Sequence, residues 1–171
     1  MALRKIIIFT EDRYGCEFLR KLIQRLVDKS IISDIKVEKC GRLAGKCNPK
    51  TTRQLKASCE LIEYDKLLII SDGENMDMQN VEKQIRIHIP EGTCRNIALV
   101  IIDSMIEEWI CQGLCINYGS NPVKDLSDWV REHKNRRKGY KKYMLPSFAE
   151  MIDLNKLMGN RSFQRFLQAL Q

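Results

Sequence analysis

Acidic side chains stand directly after three apolar segments of this chain. Glu11 and Asp12 follow the first segment, Asp72 and Glu74 the second, and Asp103 the third. Carboxylates that converge repel one another, and Mg²⁺ or Mn²⁺ relieves that repulsion because hard cations favour oxygen ligands. A metal ion held in this way polarises a phosphoryl oxygen and generates an attacking hydroxide. The pattern therefore favours metal-dependent phosphodiester chemistry, although one acid in the turn after a strand is an ordinary turn residue.

The apolar segments that precede these acids have the length and composition of buried parallel strands. They span residues 3–9, 66–71 and 97–102, and residues 35–37 form a weaker fourth candidate. Apolar residues at helical spacing predict helices in between, over about 18–27, 51–62, 76–89 and 105–115. This alternation predicts a doubly wound, mainly parallel α/β sheet of about four strands flanked by helices, with ligands bound at the carboxyl edge where the acids lie.

The last third of the chain has a different pattern. Its periodicity predicts helices alone, over residues 124–137, 145–157 and 162–170, with Ser162 as the N-cap of the last helix. We expect residues 1–118 to form the α/β core and residues 119–171 to form a basic helical extension that packs on it within one structural domain.

Positive charge is concentrated in two segments that are poor in acid. The formal charge is +7, and residues 121–171 hold eleven basic against five acidic side chains. Excess cations attract polyanions, so we expect nucleic acid, either DNA or RNA, as the partner. The residues expected to contact it are Lys46, Lys50, Arg53, Lys134, Arg136, Arg137, Lys138, Lys141 and Lys142. A solvated basic surface without a partner remains the alternative.

The seven cysteines are odd in number and include no Cys-x-x-Cys pair, which predicts reduced and mostly buried thiols. The N-terminus lacks the pattern of a signal peptide, and no apolar run approaches the length of a membrane span. We therefore expect a cytoplasmic protein with no membrane partner. The sequence leaves its oligomeric state open.

Two motifs resemble the Toprim fold, the catalytic domain of type IA and type II topoisomerases, bacterial primases, small ribonuclease-maturation enzymes and the overcoming-lysogenization-defect nucleases. The first is Ile-Ile-Ile-Phe-Thr-Glu11, and the second is Leu-Leu-Ile-Ile-Ser-Asp72-Gly-Glu74. More narrowly, the chain is similar to small stand-alone Toprim-like proteins of poorly defined function. That similarity rests on Glu107-Glu108-Trp109, Lys141-Lys142, the helix over 149–157 and Ser162-Phe163-Gln164-Arg165-Phe166.

The resemblance implies a metal-dependent nuclease. Glu11 would be the general acid/base, Asp72 and Glu74 the ligands of Mg²⁺ or Mn²⁺, and Asp103 a further ligand. Glu107 and Asp12 would be outer-shell acids or extra ligands. The chain departs from the family pattern where Glu74 replaces an Asp, where Asp12 replaces a Gly, and where Gly15 stands at the helical position of a second-metal acid, so a single metal is expected.

Two other classes of function remain open. The first is a non-catalytic nucleic-acid-binding or assembly module that keeps the fold with a weakened metal site, as the longer Glu74 side chain suggests. The second is a phosphoacceptor receiver domain, which also gathers acids at strand ends but needs a lysine after a later strand. The sequence contains no P-loop, Rossmann glycine fingerprint or nucleophile elbow, which argues against the enzymes that use them.

Overall fold

The sheet is built from four strands that are all parallel. The computed structural model describes residues 3–171 and places the strands at Arg4–Thr10 (β1), Ile35–Arg42 (β2), Lys66–Asp72 (β3) and Ile97–Ile102 (β4). Their order across the sheet is β2-β1-β3-β4. The predicted α/β class and strand number are confirmed, and the sheet is parallel throughout.

Helices cover both faces of this sheet. In chain order they are Arg13–Asp28 (α1), Pro49–Leu61 (α2), Met78–Arg86 (α3), Glu107–Gly113 (α4), Pro122–His133 (α5), Leu145–Met151 (α6), Leu154–Leu157 (α7) and Arg161–Leu170 (α8). A 3₁₀ turn, Lys142–Met144, leads into α6. Between these helices the central strands β1 and β3 are buried on both faces, and that burial explains their continuous apolar sequence.

Side chains of β1 alternate between two apolar clusters, one on each face. Ile6 and Ile8 pack in the larger cluster with residues of α1, α4, α5, α6 and α8, whereas Ile7 and Phe9 pack in the smaller one with residues of α2 and α3. β2 lies on one side of β1 in the sheet, and β3 lies on the other side. The carboxyl ends of β1 and β3 therefore form the switch point at which open α/β sheets bind ligands.

The helices after residue 121 pack on the larger-cluster face, where α6 contacts α1 and α8 contacts β4. Trp109 of α4 is fully buried, its ring centroid lies 5.2 Å from those of Phe163 and Phe166, and its indole donates a hydrogen bond to Ser162 Oγ at 2.8 Å. The N-cap prediction for Ser162 is wrong. Asn160 caps α8, because its side-chain oxygen accepts the backbone N–H of Phe163.

The helix predicted over 145–157 is two helices. Ile152 has extended backbone angles and ends α6, and Asp153 then caps α7 by accepting the backbone N–H of Asn155. The apolar residues continue at helical spacing, but the side-chain cap of Asp153 starts a new helix and divides the segment in two.

Four of the seven cysteines form disulfides, so the prediction of reduced thiols is wrong for them. Cys16 of α1 is bonded to Cys40 of β2, and Cys59 of α2 is bonded to Cys94 in the loop before β4. The partners lie 24 and 35 residues apart, and such long-range pairing leaves no local spacing signal. Because these cysteines are bonded, they give no argument for a cytoplasmic location. That location stays a prediction. No helix within residues 3–171 is both long and apolar enough to cross a membrane.

Candidate functional site

Glu11 lies just beyond β1 and is held by residues from two other segments. Its Oε1 accepts a hydrogen bond from Ser71 Oγ at 2.8 Å. The ammonium of Lys46, from the loop after β2, is 3.5 Å from the same oxygen and donates to the backbone carbonyl of Asp72 at 2.7 Å. The ends of β1 and β3 thus place Glu11 and Asp72 beside one another, as the strand-end pattern predicts.

Asp72 is the last residue of β3, and its carboxylate points into the protein. Its Oδ1 accepts the backbone N–H of Ile106 at 2.9 Å. Burial raises the pKa of Asp72 to about 7, and the nearby charge of Glu11 adds to the rise while Lys142 opposes it. A carboxyl group that titrates near neutral pH at a sheet edge is typical of functional sites, although structural networks also produce such shifts.

Glu107, the first residue of α4, is buried with only 1% of its surface exposed. Its Oε1 accepts hydrogen bonds from the Tyr140 hydroxyl and the Lys142 ammonium, both at 2.8 Å. Its Oε2 is also buried and has no hydrogen-bond partner within residues 3–171. A buried carboxylate oxygen without a partner is costly, and it is the kind of atom that a cation or water completes.

Lys142 lies among these acids. Its ammonium is 3.5 Å from Asp12 Oδ2 and 2.8 Å from Glu107 Oε1. Burial alone lowers the pKa of Lys142, but the charge and hydrogen bond of Glu107 outweigh burial and raise the pKa above its usual value. Glu11, Asp12, Asp72 and Glu107, with the ammonium of Lys142, form what we call the acid cluster.

The other two acids proposed from sequence lie outside the acid cluster. The carboxylate of Asp103 accepts a hydrogen bond from Arg165 of α8 at 2.8 Å. Glu74 is exposed, has a positive φ of 53°, and lines a separate pocket that also reaches Glu11. In the part of the chain that the structure describes, no three His, Cys, Asp or Glu side chains are grouped so as to hold a metal ion as they stand.

The basic residues proposed to contact nucleic acid divide into two groups. Lys46 and Lys142 contact the carboxylates described above. The others are exposed, and they are Lys50, Arg53, Lys134, Arg136, Arg137, Lys138 and Lys141. Five of these seven lie within residues 134–141, the segment that leads into Lys142.

No protein-family model, curated protein or solved structure matches this chain. The resemblance to Toprim proteins and the role of each residue therefore stay predictions. The parallel sheet, the switch point and the acid cluster are the observations on which a function must rest.

Replacing Asp72 with Asn is expected to stabilise the protein at alkaline pH. The folded protein holds the Asp72 proton up to about pH 7, whereas the unfolded chain releases it at about pH 4. Stability is therefore lost as pH rises between these values. Asn carries no charge and keeps the acceptor for Ile106, so the variant should be more stable than the wild type by about 2 kcal/mol at pH 8 and equal to it near pH 4.

Chemical denaturation of both proteins from pH 4 to pH 9 measures this difference. A constant gap between the two proteins across that range would contradict an elevated pKa for Asp72.

Proposed function

We propose that this protein carries out divalent-metal-dependent phosphodiester chemistry on nucleic acid, as a nuclease with a Toprim-like fold. The observation that carries the proposal is the acid cluster at the carboxyl edge of the sheet, where Glu11, Asp72 and Glu107 approach from three separate elements. The unpartnered Glu107 Oε2 and the elevated pKa of Asp72 both indicate that Lys142 compensates the negative charge of these carboxylates only in part.

The residues present suit Mg²⁺ or Mn²⁺, because their donors are carboxylate oxygens and one of these is buried without a partner. Asp72 and Glu107 are the residues we assign as ligands. Asp103 is a less suitable ligand than the sequence suggests, because Arg165 already neutralises it. When bound, the metal ion would supply Lewis-acid activation of a phosphoryl oxygen.

The remaining residues would position the substrate and move a proton. Glu11 is the general acid/base, with Ser71 orienting its carboxylate through the 2.8 Å hydrogen bond. The Lys46 ammonium forms an ion pair with the Glu11 carboxylate. It would also contact a phosphate of the substrate. Lys142 would exchange its contact with Glu107 for a substrate phosphate once a divalent cation satisfies the acids.

The exposed basic residues would bring the substrate to this edge. Five cationic side chains lie within residues 134–141, directly before Lys142. Contacts from such residues to phosphates release counterions and make affinity fall steeply with salt. The basic segment thus attracts the phosphate backbone of the nucleic acid, and the acid cluster carries out the chemistry.

Glu11→Gln is expected to reduce cleavage by at least about 100-fold, the usual contribution of a general acid or base. Labelled single-stranded and duplex DNA and RNA, incubated with the protein and Mn²⁺, provide the assay. Glu63→Gln is the matched control, because Glu63 is 87% exposed and pairs with Lys5 at the start of β1, the opposite edge of the sheet. Equal activity of Glu11→Gln and wild type, or no cleavage of any substrate by the wild type, would contradict the proposal.

A non-catalytic nucleic-acid-binding module is the second candidate, and one observation favours it. The Lys142 ammonium already contacts Glu107 and lies near Asp12, so a built-in cation takes part of the role of a metal. Such a module would bind nucleic acid with steep salt dependence, would be indifferent to EDTA, and would cleave nothing.

A further inference from the structure

The pocket that Glu74 and Glu11 line has a volume of about 450 Å³. It lies at the carboxyl ends of β1 and β3, on the face covered by α2 and α3, and its wall is the loop of residues 42–47. This is the switch point of the sheet, where ligands bind in open α/β folds. Its volume is within the range of about 300–1,000 Å³ that is typical of sites for small molecules and cofactors.

The lining of this pocket combines apolar and polar side chains. Leu43, Ala44, Ile69 and Ile85 contribute the apolar surface. Gln84 of α3 contributes a side-chain amide, which both donates and accepts hydrogen bonds as the edge of a nucleobase does. A flat apolar ring with a hydrogen-bonding edge therefore matches this lining.

Positive charge lies on the side of the pocket that faces Glu11. The Lys46 side chain is only 17% exposed, and Arg42 donates from Nε to the Glu11 carbonyl at 3.1 Å, which leaves the rest of its guanidinium for an anion. A phosphate at this position would lie next to the acid cluster. Lys46 and Arg42 offset the carboxylates of Glu11 and Glu74, which also line the pocket, and they favour a ligand whose phosphate lies against these two cations while its ring lies against the apolar side chains.

The pocket wall is already fixed by internal hydrogen bonds. Thr51 Oγ1 donates to the Gly45 carbonyl at 2.7 Å, and Gln54 donates to the Arg42 carbonyl at 2.9 Å. His88 is buried, and its two ring nitrogens contact Thr52 and the Lys46 carbonyl, so His88 supports the wall. A preformed wall reduces the entropy cost of binding.

We propose that this pocket binds one unpaired nucleotide, with its base against the apolar side chains and Gln84, and with its phosphate at Lys46 and Arg42. Bases within a duplex stay stacked and cannot enter such a pocket unless they are flipped out. The substrate of the proposed nuclease is therefore single-stranded nucleic acid. The claim that this nucleotide belongs to a nuclease substrate rests on the proposed function. Binding of the base can be measured without any metal.

The test is fluorescence anisotropy of labelled ten-nucleotide single strands in EDTA at one fixed salt concentration, in which a normal strand, a fully abasic strand and a duplex are compared. We expect the abasic strand and the duplex to bind at least about 10-fold more weakly, because removing the apolar surface of one base from water contributes on that scale. Equal affinity for the abasic and normal strands would overturn the proposal, since phosphate contacts alone would then account for binding.

Two variants locate the effect in the pocket. Ala44→Trp fills the cavity and should reduce binding of the normal strand to the abasic level, and Gln84→Ala should weaken binding about five-fold, as expected for one lost hydrogen bond. Gln79→Ala is the matched control, because Gln79 is exposed on the same helix and does not line the pocket. Unchanged binding by Ala44→Trp and Gln84→Ala would overturn the proposal.

The outcomes separate this inference from the proposed nuclease. Base-dependent binding that Ala44→Trp abolishes supports the pocket even if Mn²⁺ produces no cleavage. Cleavage without any dependence on the base overturns the pocket and leaves the proposed nuclease standing.

Discussion

Replacement of Lys142 by Met is expected to lower the free energy of unfolding by about 2–3 kcal/mol, which is less than the cost of breaking a fully buried ion pair because the Lys142 side chain is 36% exposed. Glu107 is 1% exposed, and Lys142 supplies its only charged contact within residues 3–171. Without Lys142, the carboxylate keeps only the Tyr140 hydroxyl as a donor and must remain charged in an apolar setting or take up a proton. Denaturant unfolding at pH 8 in EDTA measures the loss.

Two further variants test the cause of this loss. Lys141→Met removes a neighbouring exposed lysine and should change stability by less than about 0.5 kcal/mol. The double variant Lys142→Met with Glu107→Gln removes both charges and should recover most of the loss, because no buried charge then lacks a partner. A double variant that is less stable than Lys142→Met would show that Lys142 contributes through packing rather than through its charge.

Removal of either disulfide is expected to cost about 3 kcal/mol. The bridges close loops of 24 and 35 residues, and a loop of that size restricts the unfolded chain by about 3–4 kcal/mol. Cys16→Ser with Cys40→Ser tests the bridge between α1 and β2, and Cys115→Ser is the control because Cys115 is exposed and unbonded. Guanidinium unfolding with and without a reductant measures both effects.

Thiol counting tests the disulfides independently. The unreduced protein, once denatured, should label at Cys47, Cys111 and Cys115 alone. Labelling of all seven cysteines would contradict both bridges.

The central strands could be predicted from sequence because their burial leaves a local signal. β1 and β3 are covered on both faces, so each contains a continuous apolar run, and the edge strand β4 is also apolar, with its last three residues buried. β2 extends to Arg42, well beyond the three residues predicted. It is an edge strand with half-buried side chains, and its polar sequence resembles a loop.

The site could be predicted only in part, because its other contacts join distant segments. Strand ends place Glu11 beside Asp72, and this proximity follows from the topology of a parallel sheet. Glu107 was expected as an accessory acid, and only its burial against Tyr140 reveals its unpartnered oxygen. Asp103 pairs with Arg165, 62 residues away, and Lys142 contacts the acids although its basic neighbours are exposed. Packing of the C-terminal helices determines both contacts.

The most direct test of metal binding by the acid cluster is thermal unfolding of the wild type and Asp72→Asn at pH 8, with and without Mn²⁺. Asp72→Asn is the informative variant because it is expected to be the more stable protein without metal, so loss of folding cannot explain a missing response. At 100 times its dissociation constant, Mn²⁺ should stabilise the wild type by about 2.7 kcal/mol and raise its melting temperature by about 5–10 °C. The variant should show little or no shift. No shift of the wild type at millimolar Mn²⁺, or an equal shift in both proteins, would contradict a metal site at Asp72.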